Sequence, residues 1–447
     1  MAEETIEDVA AKQKYYVAHL ADVNKETDVI STEDIFNSSG VMVVPKGTRI
    51  SQDVARKVLR HKLIKSLEDQ VQVSDCIDKR TILDDLQKLL AKYKDLQVIH
   101  LKNNFEEPFA ALVEAVKFNT ILVQKLTVLK KQLIKEYDKS LFCGWLSALI
   151  SHRMGLEKEL VEAAFLAGFF HDIGLLNVAP QTLEKGGELT ADEWRAIQSH
   201  VAVGKLIFDN MHDLHAGVAR AVFEHHERCD GSGYPTGKSA DELDIMGQIV
   251  GMADSMHSIR VNQFERHGRN LRDALPYLHM NSRIHFQKVY EVMCGILKKS
   301  GLPRSKGNPF GDYHKFVEHL VRRAEKLNKS KQVLDPLIRM VETVKNNHCV
   351  IKLGKIVLPV SQMVNSSGLL EERLMHWLKS LEAGPDQASI EDLSEVELMQ
   401  NELYWQMKKL HKTINDCAEK GGSKISPALR KALESFSLDM HRILSDG

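Results

Sequence analysis

From about Thr81 onward the chain keeps a helical period almost without interruption, and two of its aspartates stand in apolar company. Asp172 follows the apolar run Phe165 to Phe170, and Asp254 closes the segment Val250-Gly251-Met252-Ala253-Asp254. Burying a bare carboxylate is costly, so an aspartate in such a segment must be paired or metal-bound.

Histidines are placed to take part. His171 adjoins Asp172. Its imidazole can bind one ion, while the two oxygens of the carboxylate can bridge a pair. His200 follows Thr190-Ala191-Asp192-Glu193, a capping box that starts its helix. His225-His226 stands near the end of the next helix. Neighbouring helical side chains point about 100° apart, so a tandem pair at a helix end can face two ions. Any one of these histidines alone is more often a core or surface histidine. The six residues His171, Asp172, His200, His225, His226 and Asp254, on successive helices, reverse that balance and predict a two-metal site. The mixed N/O donors suit iron or manganese better than thiolate-loving ions. Two ions about 3.5–4 Å apart activate water near neutral pH and clamp an in-line attack on phosphorus. Asp172 and His171 are the expected catalytic residues.

These stretches resemble the HD-GYP family, a branch of the HD phosphohydrolases. The resemblance runs through His171-Asp172-Ile173-Gly174, then Leu183 to Thr190, then His200 and Gly204. It continues through His225-His226-Glu227-Arg228-Cys229-Asp230-Gly231-Ser232-Gly233-Tyr234-Pro235 to Ala253-Asp254. It covers about Ile134 to Phe286, a third of the chain, and the segment ending in Gly-Tyr-Pro is the diagnostic one. It implies a helical bundle with metals at its centre and hydrolysis of cyclic di-GMP to pGpG and GMP. Gly233, Tyr234 and Pro235 are candidate substrate contacts: glycine admits close backbone approach, and tyrosine can pack on a base or on the loop itself. A turn that only braces the site is the equal alternative. Arg266 and Arg260, which follow Asp254, are candidates for contacting phosphate.

The chain departs from the family pattern twice. Leu175 stands where the family usually has a lysine near the phosphate. The family's early histidine should fall near Lys139 or Ser140, yet Lys135 to Ser140 holds none, Glu136 and Asp138 being possible substitutes and His152 lying too far along. The main expectation is a metal-dependent cyclic di-GMP phosphodiesterase. A metal- and nucleotide-binding signalling module without turnover, and a phosphohydrolase of another nucleotide, stand as alternatives.

The rest of the chain sets limits. Its 447 residues carry a formal net charge of -1, which argues against general nucleic-acid or membrane-surface binding. The six cysteines are scattered without a C-x-x-C pair, and the acidic Met1 to Ala10 has no apolar run, so a cytoplasmic protein is expected. The predicted fold is mainly α. Residues 1–98 form a small mixed α/β regulatory module, 99–310 the phosphohydrolase domain, and 311–447 a helical extension. In the first part Asp28 to Ile30, Val41 to Val44 and Val71 to Val73 read as strands, and Ser51 caps a helix to His61. Phe109 to Tyr137 reads as one helical segment whose apolar stripe faces a core; pairing with another chain is the other reading. A homodimer and a signalling-protein partner are thus left open. Cys349 to Val360 reads as a short hairpin, Gly384-Pro385-Asp386 as a break, and Gly421 to Gly447 as weakly specified.

Overall fold

A computed structural model describes residues 6–211, 213–305, 311–343, 348–381, 387–420 and 427–445. Two compact units emerge, Met1–Arg228 with Gly233–His257, and Cys229–Ser232 with Ser258–Gly447.

The first unit begins with the helix Ile6–Val23 and four short strands. Val29–Ser31 pairs antiparallel with Val71–Val73, and Ile35–Phe36 with Met42–Val44. Val71 and Val73 are buried while Gln72 between them is exposed, the period of a half-buried strand. Ser51 caps the helix Gln52–Val58, its side chain accepting from the Val54 amide. The three expected strands and the cap are present. The helix stops before His61, and the Ile6–Val23 helix and the two-residue strand Ile35–Phe36 are additions to the expected elements. This strand layer is welded to the helix Thr120–Gln132. Val73 N donates to Gln124 Oε1 at 2.8 Å, and Ile77 N to Thr127 Oγ1 at 3.0 Å. Lys125, nearly inaccessible, pairs with Glu68 and lies 3.9 Å from the Tyr16 ring centroid. A buried ammonium so partnered is tolerated where a bare one is not.

Phe109 to Tyr137 is not one helix but parts of three: Glu106–Ala115, Thr120–Gln132 and Ile134–Arg153. Asn119 starts the second by accepting from the Ile121 amide, and Leu133 leaves helical geometry to end it. The stripe is core-facing, with Leu112, Val116, Leu122, Leu126 and Leu129 all buried. Ile134–Arg153 packs along Lys158–Phe170. Between and around them Phe142, Trp145, Phe165, Phe169 and Phe170 are fully buried. Each such side chain contributes about 1.5–3 kcal/mol. This aromatic floor holds the helix end that carries His171 and Asp172.

The second unit is built on the helices Tyr313–Thr343, His348–Ser366, Gln387–Lys420 and Pro427–Ser445. Leu353, Val357, Leu403, Met407, Leu410, Leu433, Phe436 and Met440 share one core. Within this unit Arg269 binds Ser394 and Glu397. Two expectations are overturned here. Cys349 to Val360 is helical, because Leu353, Val357, Val360 and Val364 recur every three or four residues and bury one face. That burial outweighs the strand preference of the β-branched residues. The tail also forms a helix, Pro427–Ser445, since Leu433, Phe436 and Met440 find the same core. Gly384-Pro385-Asp386 lies outside the described residues. Among the described residues no helix is long and apolar enough to cross a membrane.

Candidate metal centre

Three histidines of the first unit sit immediately after helix ends. His171 caps Lys158–Phe170, His200 follows Ala191–Gln198, and His225 caps Gly217–Glu224. The Thr190 capping box is present with both of its hydrogen bonds, but the helix it starts ends at Gln198, and His200 opens the next helix, His200–Asp209. In each case the ring Nδ1 meets the carbonyl three residues back: His171 to Gly168 at 2.8 Å, His200 to Ile197 at 2.7 Å and His225 to Val222 at 2.7 Å. A carbonyl only accepts, so Nδ1 carries the proton in all three. That arrangement turns each Nε2 toward the centre, where a neutral ring would present a lone pair.

Those lone pairs converge. Donor atoms of Asp172, His200, His225 and His226 all lie within 4.8 Å of one another, and so do those of Cys143, His171 and Asp254. Asp172 straddles the two groups. Its Oδ1 lies 3.1 Å from His200 Nε2 and 3.8 Å from His225 Nε2, and its Oδ2 lies 3.0 Å from His171 Nε2. The Nε2 atoms of His200 and His225 are 3.4 Å apart. His171 Nε2 is buried without a hydrogen-bond partner. Imidazole nitrogens gathered this closely around a carboxylate are a donor set suited to a cation, so the residues present fit a metal ion. His226 stands at the open side, its Nδ1 3.7 Å from Asp254 Oδ2.

The electrostatics agree. Burial, reinforced by the neighbouring histidines, holds His225 well below its ordinary value, and burial does the same for His226 despite Asp254. Neutral imidazole is the form that binds metal. Burial pushes Asp172 up, but His171 and Lys139 outweigh it and hold the carboxyl well below the usual range. Asp254 is likewise held down against burial, by Lys139 first.

Lys139 falls in the window that lacks the family's early histidine, yet it is at the centre, its ammonium 2.7 Å from Asp172 Oδ2 and 2.7 Å from Asp254 Oδ1. Cys143, one turn on, joins it and is likewise absent from the residues that the sequence points to. The only sequence signal is spacing, since Glu136, Lys139 and Cys143 share one helix face. Of the two expected substitutes, Glu136 is at the site, where burial and Asp172 raise its carboxyl. Asp138 instead feels Lys92 and Asp85. Leu175 is buried in the turn Ile173–Asn177.

The Gly-Tyr-Pro segment roofs the centre. The Tyr234 ring stacks on His226 with centroids 4.6 Å apart, and Trp194 meets Tyr234 edge-on at 6.1 Å. The Tyr234–Pro235 peptide bond is cis. Gly233 presses on the histidine segment: a Cβ there would stand 2.4 Å from the His226 carbonyl oxygen. Gly174 does the same on the other side, where a Cβ would come 2.1 Å from the His200 carbonyl oxygen. Both family glycines thus admit a histidine-bearing backbone. Glu227, fully buried, ties down the stretch of chain beyond Pro235. It accepts from Thr236 N at 2.7 Å, Thr236 Oγ1 at 2.6 Å, Gly237 N at 3.1 Å and Lys238 N at 3.2 Å. Its role is invisible in the sequence because its donors lie nine to eleven residues on. Arg260 belongs to the second unit, where it is buried and paired with Glu265 at 2.6 Å. The side chain of Arg266 lies outside the described residues.

Comparison with known proteins agrees with this geometry. Residues 121–288 match the family described as HD domain. A cyclic di-GMP phosphodiesterase of Thermotoga maritima is 31% identical over 159 residues, 35% of this chain and 43% of that protein. The 3'3'-cGAMP-specific phosphodiesterase 3 of Vibrio cholerae is 35% identical over 115 residues, 26% of this chain and 25% of that protein. A cyclic di-GMP phosphodiesterase of Pseudomonas aeruginosa is 30% identical over 133 residues, 30% of this chain and 32% of that protein. The chain spans less than half the length of each of these relatives. These likenesses run through one segment of the chain, residues 121–288, which matches the HD domain.

Proposed function

We propose that this chain is a metal-dependent phosphodiesterase of cyclic dinucleotides, with cyclic di-GMP as substrate and pGpG or GMP as product. The observation that carries it is the convergence of the His171, His200 and His225 Nε2 atoms on Asp172 beneath Tyr234. Asp172, His200, His225 and His226 would hold a divalent ion, iron or manganese by the chemistry of the donors; His171 and Asp254 are the donors for the second of the two ions expected. A bound ion supplies Lewis acidity and activates water for attack on phosphorus. The protein's own part is to bind and orient. The aromatic run His226, Tyr234 and Trp194 supports a ligand with flat bases, for which ring stacking is the natural contact. Arg266 and Arg260 are the sequence's candidates for contacting phosphate, and Arg260 is paired with Glu265. The substrates in the relatives' names are cyclic di-GMP and 3'3'-cGAMP. Scattered cysteines without a C-x-x-C pair fit a reducing cytoplasm.

The test is direct. The protein is purified anaerobically, supplied with iron(II) or manganese, and incubated with cyclic di-GMP, with Asp172→Ala as control. Linear product in the wild type and none in the variant is expected. Metal retained with no product from cyclic di-GMP or 3'3'-cGAMP would remove the phosphodiesterase reading.

A further inference from the structure

Asp172 and Asp254 offer His171 two oxygens with which to enclose a cation. Asp172 Oδ2 lies 3.0 Å and Asp254 Oδ1 3.9 Å from His171 Nε2. An ion bound by His171 would need both oxygens. Both are engaged by Lys139, whose ammonium stands 2.7 Å from each and whose side chain is only 17% exposed. An ammonium has three N–H donors and no lone pair, so it satisfies carboxylates but cannot itself ligate a metal. It also repels a divalent ion brought to the same oxygens. Cys143 completes that group from one turn further along the same helix. The other side of the carboxylate is arranged differently. There Asp172 Oδ1 faces His200 Nε2 and His225 Nε2, and His226 closes the group.

We propose that Lys139 is a fixed internal cation occupying the second of the two cation positions, so that the centre takes up a single divalent ion at Asp172, His200, His225 and His226. This rests on the metal-centre reading above and revises its count. The centre then carries one positive charge fewer than a two-ion site. That charge is tethered to the Ile134–Arg153 helix and is not removed by chelators. It also returns to the site a lysine charge that Leu175 withholds, from a different helix.

The test counts metal and does not depend on turnover. Full-length protein is stripped with chelator, equilibrated anaerobically with excess manganese(II), desalted and analysed for manganese per chain. Electron paramagnetic resonance on the same samples separates an isolated ion from an exchange-coupled pair. The wild type is expected to hold one manganese per chain with the spectrum of an isolated ion. Lys139→Met, which keeps the stem and removes the charge, is expected to double the count and give a coupled spectrum. Lys139→His serves as a second variant, and is expected to do the same by adding a donor. Two coupled ions in the wild type would overturn the role of Lys139 and leave the metal centre standing. So would one ion in both folded variants. No manganese in any of the proteins would instead overturn the metal centre itself. If neither variant folds, the wild-type count decides alone.

Discussion

Gly233→Ala tests how tightly the roof is fitted to the metal centre. The new methyl carbon would stand 2.4 Å from the His226 carbonyl oxygen, 2.5 Å from Arg228 N and 2.5 Å from Glu227 Cα. All three are backbone atoms, so no side-chain rotation relieves the clash. A comfortable contact is about 3.5 Å, so the two strands of chain must part by about 1 Å. Parting them breaks the Tyr234 N to His226 O hydrogen bond, now 3.2 Å long, and lifts Tyr234 from the His226 ring. Overpacking of this kind costs about 1–3 kcal/mol, and the lost hydrogen bond about 1 kcal/mol more. Taken as about 3 kcal/mol, the melting temperature of a unit of this size falls by about 6–12 °C. Because His226 moves with the loop, manganese affinity should also weaken about tenfold or more. Calorimetric unfolding of the chelated protein and titration with manganese read the two effects separately. Gly186→Ala is the internal control, since a Cβ there meets nothing within 4 Å. If Gly233→Ala melts with Gly186→Ala and binds manganese like the wild type, the fitted-roof argument is wrong.

Other consequences stem from the same geometry. Burial holds His225 and His226 below their ordinary values in the folded protein, while in the unfolded chain they titrate near about 6.5. Between these values the unfolded chain binds more protons, so the stability of the metal-stripped protein is whole above about pH 6.5 and is lost as pH falls, by up to about 1.4 kcal/mol per pH unit for each histidine. Melting curves at stepped pH check this, and His225→Gln should flatten the slope; an unchanged slope removes His225 from the account. Glu227→Ala strands the amide donors of Thr236, Gly237 and Lys238, at a cost of about 3 kcal/mol, and should speed tryptic cleavage after Lys238. Equal cleavage rates would show that the loop does not need this anchor. Met407→Ala in the second unit, where the side chain is fully buried, should cost about 2–5 kcal/mol by denaturant unfolding without altering the metal count.

The residues gathered at the candidate metal centre are legible in the sequence because most stand where a simple rule looks. His171 and His225-His226 mark helix ends, and Asp254 is a charge in an apolar segment. The strands Val29–Ser31 and Val71–Val73 are legible from their turns and alternation. Segments with two competing signals are not. Residues 349–360 combine β-branched residues with a helical burial period, and the core decides for helix. Phe109 to Tyr137 carries one continuous apolar rhythm through three helices, because the breaks at Asn119 and Leu133 hardly disturb it. Lys139 is hidden for a different reason. A lysine is no metal ligand, so its window looks vacant until folding places its ammonium between two aspartates.

The carbonyls at Gly168, Ile197 and Val222 belong to last helical turns, where acceptors are left over from the helix ladder. Each histidine is therefore aimed over three residues by the helix that precedes it. Tertiary assembly has only to bring pre-set donors into register. A change of length in the connecting segments between these helices would then leave the aim of each ring unchanged. What such changes cannot spare is the hand-off from helix end to histidine. A deletion of one residue between Val222 and His225 should disarm the centre more thoroughly than several added in the loop before Gly217.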